Sequence, residues 1–367
     1  MVNEVPVKDG RIFFELKEDE LNVPRESIIA NLESIIHEID CELISSRSHE
    51  LLKQEVITDL HAECNRHGMD YSAINPFGSA FNGFWSSSSD IDVVIDLCQN
   101  GAKFQFEAFE SFLKNSPRLF RLKLTIRNAT VPIITVEHIK TMLRCDISFS
   151  APAISRSDVI WNTKLLKSYT DLYPEISRSF RFIKLVLNQS TYGSTRTQGL
   201  STYSHIIMYI YFLSHCGKRY IPHIHPTTFQ PSTEQTPRTI SPAEMILDYL
   251  EFISCKLDSS KLKISVSSPD IIPRPPNYGQ MGRLGIADPY VNKNLGTYMK
   301  GEQLYDFKLY CYRLLQFIRS GLPSRIHHIT KWCKEYQNTA PFLEDPPISP
   351  DCSELLCTHI FPETDYY

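Results

Sequence analysis

Long apolar runs, paired cysteines and excess positive charge are all missing from this sequence. No run approaches the roughly 18 apolar residues that a membrane-spanning helix needs. The longest candidate, YSHIIMYIYFL from Tyr203 to Leu213, reads as a buried helix, so no membrane partner is expected. No two of the ten cysteines stand in a CxxC pair, which removes the usual zinc spacing. They are scattered through apolar runs, as reduced core cysteines are, and MVNEVPVKDG lacks the apolar region of a signal peptide. A cytoplasmic location is expected, with the nucleus as alternative. Lys and Arg number 38 against 42 Asp and Glu, a net charge of −4. No global basic field exists, and any polyanion must be held by local patches or with a partner's help. Internal repeats are absent as well.

What is present is a globular composition: 42% hydrophobic and 11% aromatic over 367 residues. That is enough chain for two domains with a sizeable core. Residues 1–20 read as extended, and residues 25–64 as helical, with apolar residues at three-and-four spacing. Residues 72–89, punctuated by Pro, Gly and Ser, read as turn-rich. DIDVVIDL predicts a strand, residues 104–113 a short amphipathic helix, and residues 122–127, 131–137 and 143–149 three further strands. The periodicity then changes. Residues 161–169, 176–187, 201–214, 243–255 and 302–320 read as helices, the last with one stripe of Leu304, Phe307, Cys311, Leu314, Leu315 and Ile318. Residues 225–242 read as a surface loop rich in Pro, Thr and Ser. The expected fold is an α/β lobe, a mixed sheet with flanking helices, followed by a mainly α-helical lobe. The expected boundaries are 1–155, 156–335 and an irregular tail, 336–367.

The informative segment is Phe77-Gly78-Ser79, then Asp90-Ile91-Asp92. Asp90 and Asp92 are two apart on a strand, so both carboxylates project from one face. Side by side they repel, unless divalent cations neutralise them; carboxylates with substrate phosphates suit Mg²⁺, and Mn²⁺ is the alternative. Gly78-Ser79 lies in a turn expected to open a short helix, SAFNGFW, whose N–H groups and Ser79 hydroxyl suit a triphosphate. A lone DxD is more often a solvated strand edge; the combination with the turn points to chemistry. Asp96 reads as a cap or surface charge. Two-metal phosphoryl transfer needs a further carboxylate. Asp146, an acid within an apolar strand, is the best candidate. Glu137 is a weaker rival, and an Arg144–Asp146 surface pair is the bland alternative.

FGSAFNGFWSSSSDIDVVI resembles the signature of the DNA polymerase β-like nucleotidyltransferase superfamily. VPIITVEH with CDISFS resembles the next block of its RNA-tailing branch, the terminal uridylyltransferases and the Trf-type and cytoplasmic poly(A) polymerases. Asn162-Thr163-Lys164-Leu165-Leu166 resembles the block whose Asn and Thr contact the ribose; a helix cap is the structural alternative for Asn162. Lys184 matches the first of two triphosphate lysines, with snorkelling as its alternative. The second is replaced by Asn188. Gly199-Leu200-Ser201-Thr202-Tyr203 resembles the block in which the Tyr stacks on the base and the preceding hydroxyl contacts the triphosphate or base; a core tyrosine is the plain alternative. Ile286-Ala287-Asp288-Pro289-Tyr290 resembles the base-recognition loop of the PAP-associated domain. The loop is one residue short, lacks the acidic group after the aromatic residue, and carries Lys293 where uridylyl enzymes have His.

The resemblance spans roughly residues 70–320. It implies a template-independent RNA 3′-terminal nucleotidyltransferase using metal ions on Asp90, Asp92 and Asp146, with the nucleotide in a cleft between lobes. NKNLG leans the reading to UTP; adenylyl transfer from ATP is the alternative, and a catalytically weak or inactive scaffold a second. No RNA-recognition motif, KH domain or zinc knuckle is discernible. Arg121, Lys123, Arg127, and the Arg319, Arg325, His327, His328 group are candidates to guide RNA, though each also reads as a solvated face. An RNA-binding protein partner is therefore expected to help.

Overall fold

The computed structural model describes residues 4–7, 11–14, 23–44, 47–86, 89–99, 101–115, 117–129, 131–151, 157–197, 199–216, 219–232, 241–273, 284–299 and 301–339. By contacts the chain divides into two units, one of residues 40–177 and one of residues 1–39 with 178–367.

The 40–177 unit is built on a five-stranded sheet. Its elements are α2 (Arg47–His67), β3 (Tyr71–Phe77), β4 (Ile91–Leu97), α3 (Ala102–Asn115), β5 (Phe120–Ile126), β6 (Ile133–His138), β7 (Arg144–Ser150) and α4 (Ser157–Leu172). Strand order is β3-β4-β7-β6-β5. Only β4 and β7 are parallel, which makes the sheet mixed, as expected. The alternation in β4 and β7 sorts their side chains. Val93, Ile95, Ile147 and Phe149 share one face, and Phe106 and Phe109 of α3 meet the Phe149 ring edge-on at 6.1 Å. Asp92, Asp96, Asp146, Ser148 and Ser150 share the other face. Along α2, Val56, Leu60 and Cys64 recur at four-residue spacing and are fully buried.

Strand β3 was not legible as such: Ser72, Asn75 and Pro76 read as turn residues. It lies at the sheet's edge, where Pro76 needs no partner for the N–H it lacks. The helix expected over SAFNGFW is a single 3₁₀ turn, Gly78–Ala80. It stops because Gly83 takes φ +88° and the Asn82 side chain accepts the Phe84 N–H at 3.1 Å, bending the chain away.

The other unit begins with a hairpin, β1 (Glu4–Val7) and β2 (Arg11–Phe14), and α1 (Arg25–Ile44). The contact division falls within α1 and within α5 (Pro174–Asn188). Then come α6 (Thr202–His215), α7 (Pro242–Glu251), short strands β8 (Leu262–Ile264), β9 (Ile272–Pro273) and β10 (Gly285–Ile286), α8 (Gly301–Arg319) and α9 (Ile326–Thr339). Helix α6 is the apolar run read above as a buried helix, and every residue from Ser204 to His215 is buried. Ser201 caps it by accepting the Ser204 N–H at 3.1 Å. The α8 stripe is buried throughout. The small sheet β10-β8-β9 and helix α9 were not anticipated. The expected loop turns back through an Ile224–Pro231 bridge; its residues 233–240 lie outside the described residues, as does the tail from 340. All eight cysteines among the described residues are free, and no described helix is long and apolar enough to cross a membrane.

Candidate active site

Strand register brings the first acidic residues together. Asp92 pairs directly with Asp146 across parallel strands β4 and β7, on the same face, with neighbouring strands about 4.8 Å apart. Asp90 lies just before β4. All three charges bear on the buried Cys145 thiol, whose pKa is raised first by burial and then by Asp92, Asp146 and Asp90. Asp146 accepts a hydrogen bond from Thr135 Oγ1 at 2.6 Å, its cross-strand partner on β6. The Arg144–Asp146 pair is not formed among the described residues; Arg144 stands opposite Glu137. Glu137 is spoken for by Lys123 at 3.0 Å and Arg121 at 3.5 Å. Asp96, half-buried on the same face, accepts from Asn75 Nδ2 at 2.6 Å.

Among the described residues no three His, Cys, Asp or Glu side chains converge to metal-holding distance. The donor set nonetheless fits a hard divalent cation: only carboxylate oxygens, like charges placed in register, all half-buried at one end of a sheet.

The Gly78 turn sits against these acids. Phe77, the last residue of β3, is in register with Asp92, and Gly78 follows at φ +72°. A Cβ on Gly78 would collide with the Asp92 carboxylate, so glycine is required twice, by conformation and by space. The Gly78 N–H is already used: it donates to Thr163 Oγ1 at 3.1 Å, and Thr163 donates to the Val159 carbonyl at 2.8 Å. Thr163 thus anchors the turn from α4. Asn162 lies inside α4, six positions from Ser157 inclusive, and is 8% exposed, which removes the helix-cap reading. Ser79 is half-buried.

Two anchors of this turn are not among the residues singled out from the sequence. Thr170 of α4 donates to the Asn82 carbonyl at 3.0 Å. Lys53 of α2 donates to the Ala80 carbonyl at 2.8 Å while almost fully buried. A lysine on an apolar helical face adjoining a turn was the available clue for the latter.

The remaining candidates belong to the other unit. Lys184 and Asn188 stand one turn apart on α5; Lys184 is buried rather than snorkelling, and Asn188 is exposed. Thr202 and Tyr203 open α6 and are half-buried. The Ser204 hydroxyl donates to the Leu295 carbonyl at 3.3 Å, bringing this helix start beside the loop that carries Asp288 and Lys293. Asp288 Oδ1 accepts the N–H groups of Tyr290 and Val291 at 2.9 and 3.2 Å, so it organises the loop. Asn294 staples the loop base, accepting from Ile286 and Gly296 N–H at 2.9 Å each. The Tyr290 hydroxyl donates to the Pro226 carbonyl at 2.6 Å. Lys293 is exposed.

Residues 32–171 match the family model for the central palm domain of mitochondrial-like poly(A) RNA polymerases. A crystal structure of Cid1 poly(U) polymerase superposes with a TM-score of 0.66 at 20% identity, covering 83% of this chain and 98% of that one. The chain has the fold of that nucleotidyltransferase. A cytoplasmic RNA terminal U-transferase superposes equally well, with a TM-score of 0.66 at 20% identity over 84% of this chain and 98% of that one. By sequence the chain is 24% identical over 287 residues to terminal uridylyltransferase 4 of Mus musculus, a match covering 70% of it but only 17% of that relative. Against human terminal uridylyltransferase 7 the figures are 28% over 154 residues, 40% and 10%. The resemblance and the α/β-plus-helical architecture read from the sequence are borne out.

Proposed function

We propose that this chain adds nucleotides, without a template, to the 3′ hydroxyl of RNA, with UTP as the preferred donor. The observation that carries the proposal is the in-register pair Asp92 and Asp146, with the Gly78 turn pressed against Asp92. Asp90, Asp92 and Asp146 would hold Mg²⁺, or Mn²⁺ in its place. Bound divalent ions supply charge for the triphosphate and lower the pKa of the attacking hydroxyl. Three Cid1 structures hold magnesium with a nucleotide, which supports the same cofactor here.

The chain's own groups do the rest. Thr135 holds Asp146 by one oxygen. Thr163, Lys53 and Thr170 hold the turn from which the Ser79 hydroxyl and N–H bind phosphate. Asn162 reaches the ribose, and Lys184 the triphosphate. Tyr203 stacks on the base and Thr202 lies beside it, while Lys293 on the Asp288 loop donates to uracil carbonyls. Asn188 in place of a lysine lowers the positive charge available to the triphosphate. RNA is the acceptor, held weakly by this chain and more firmly with an RNA-binding protein. The free cysteines and a cytoplasmic enzyme of the same fold support a cytoplasmic location.

Adenylyl transfer is the second reading, favoured by the palm's match to a poly(A) polymerase model. One assay separates the readings: a labelled short RNA with Mg²⁺ or Mn²⁺ and each NTP alone. Extension with UTP above ATP is expected. The reverse order selects adenylyl transfer, and no extension with any NTP overturns the proposal. A Lys293→His variant with an unchanged UTP/ATP ratio would remove Lys293 as a selector.

A further inference from the structure

Lys53 is 2% exposed. Its ammonium pairs with Glu50, whose side chain is 78% exposed, and lies 5.6 and 5.1 Å from the ring centres of Phe81 and Trp85. An ammonium in such a place is costly, and a well-packed apolar side chain is generally no less stable there. Stability therefore gives no reason for the charge. Its hydrogen bonds do. Lys53 donates to the Ala80 carbonyl at 2.8 Å; the same peptide group presents the Phe81 N–H, which donates to the Gly78 carbonyl at 3.1 Å. That second peptide group presents the Ser79 N–H. A cation at one end of two hydrogen-bonded peptide groups polarises both, and hydrogen bonds in such chains strengthen one another.

We infer that Lys53 is a positioning residue for polyphosphate: it fixes the Gly78–Ala80 turn from behind and polarises the Ser79 N–H toward an anion. The inference rests on the proposed nucleotide site and names the group that sets its phosphate affinity. Glu50 opposes it, because its carboxylate neutralises part of the charge.

The test is calorimetric titration of the full chain with magnesium tripolyphosphate, which needs no turnover. Lys53→Met is expected to weaken binding by about tenfold or more, as for loss of a charge-assisted hydrogen bond. Lys53→Arg restores most of it, and Glu50→Gln, which leaves Lys53 uncompensated, tightens it. Thermal melting of each variant reports folding. A folded Lys53→Met that binds as the wild type does overturns the inference. If Lys53→Met does not fold, Glu50→Gln decides: unchanged or weaker binding overturns it. A wild type that does not bind tripolyphosphate overturns it too. A wild type that binds but extends no RNA sinks the proposed activity and leaves this inference standing.

Discussion

At the scale of single residues, the site is governed by what can stand beside Asp92. Gly78 combines a left-handed φ of +72° with the absence of a Cβ that would strike the Asp92 carboxylate. Gly78→Ala is expected to cost about 1–2 kcal/mol of stability from the backbone alone. It is expected to lower kcat/KM for RNA extension far more, by about 100-fold, because it displaces a carboxylate. Thermal melting and steady-state kinetics on the same preparation check this; a variant that melts early but keeps its kcat/KM would contradict it. Asp90 and Asp92 were legible in sequence because a two-residue spacing at a strand fixes direction, and Gly78 because Gly-Ser marks a turn. Asp146 was legible as a misplaced charge, but its pairing with Asp92 comes from strand order. Thr135, Lys53 and Thr170 were not legible, since each acts through a contact 11, 27 or 88 residues away.

At the scale of elements, pattern succeeded where one face is buried. The alternation in β4 and β7 and the three-and-four stripe in α8 each correspond to a real core face. It failed at β3, an edge strand that tolerates turn-forming residues, and at α9, whose buried Ile329 and Cys333 form too narrow a stripe. Helix α6 carries a buried titratable group that makes a pH prediction. His205 is fully buried; Nε2 donates to the Tyr192 carbonyl at 2.9 Å and Nδ1 has no partner among the described residues. Burial lowers its pKa from 6.5 to about 4, partly opposed by that bond. As pH falls below 6.5 the unfolded chain takes up the proton first, so stability is lost from there down to about pH 4. At about 1.4 kcal/mol per unit the contribution is about 3 kcal/mol. Denaturant titrations at pH 7 and pH 4.5 are expected to show a smaller acid loss in His205→Gln than in the wild type. Equal losses would place the acid-sensitive group elsewhere.

At the scale of the whole molecule, charge is distributed unevenly. The acidic balance leaves little positive field, and the basic residues considered for RNA are engaged: Arg121 and Lys123 with Glu137, Arg127 with Glu110, Arg319 with Glu251, Arg325 with Glu38. Charge counts in a sequence cannot reveal such neutralisation, because the partners come from other elements. What the molecule concentrates instead is negative charge on one sheet face. The most direct test is the steady-state rate of RNA extension by an Asp92→Asn variant, which keeps the shape beside Gly78 and removes only the charge. A loss of about 1,000-fold or more is expected, with a melting temperature equal to or above the wild type's because carboxylate repulsion is relieved. A folded Asp92→Asn protein extending RNA within about threefold of the wild-type rate, well under the 1.4 kcal/mol of a tenfold change, would contradict it.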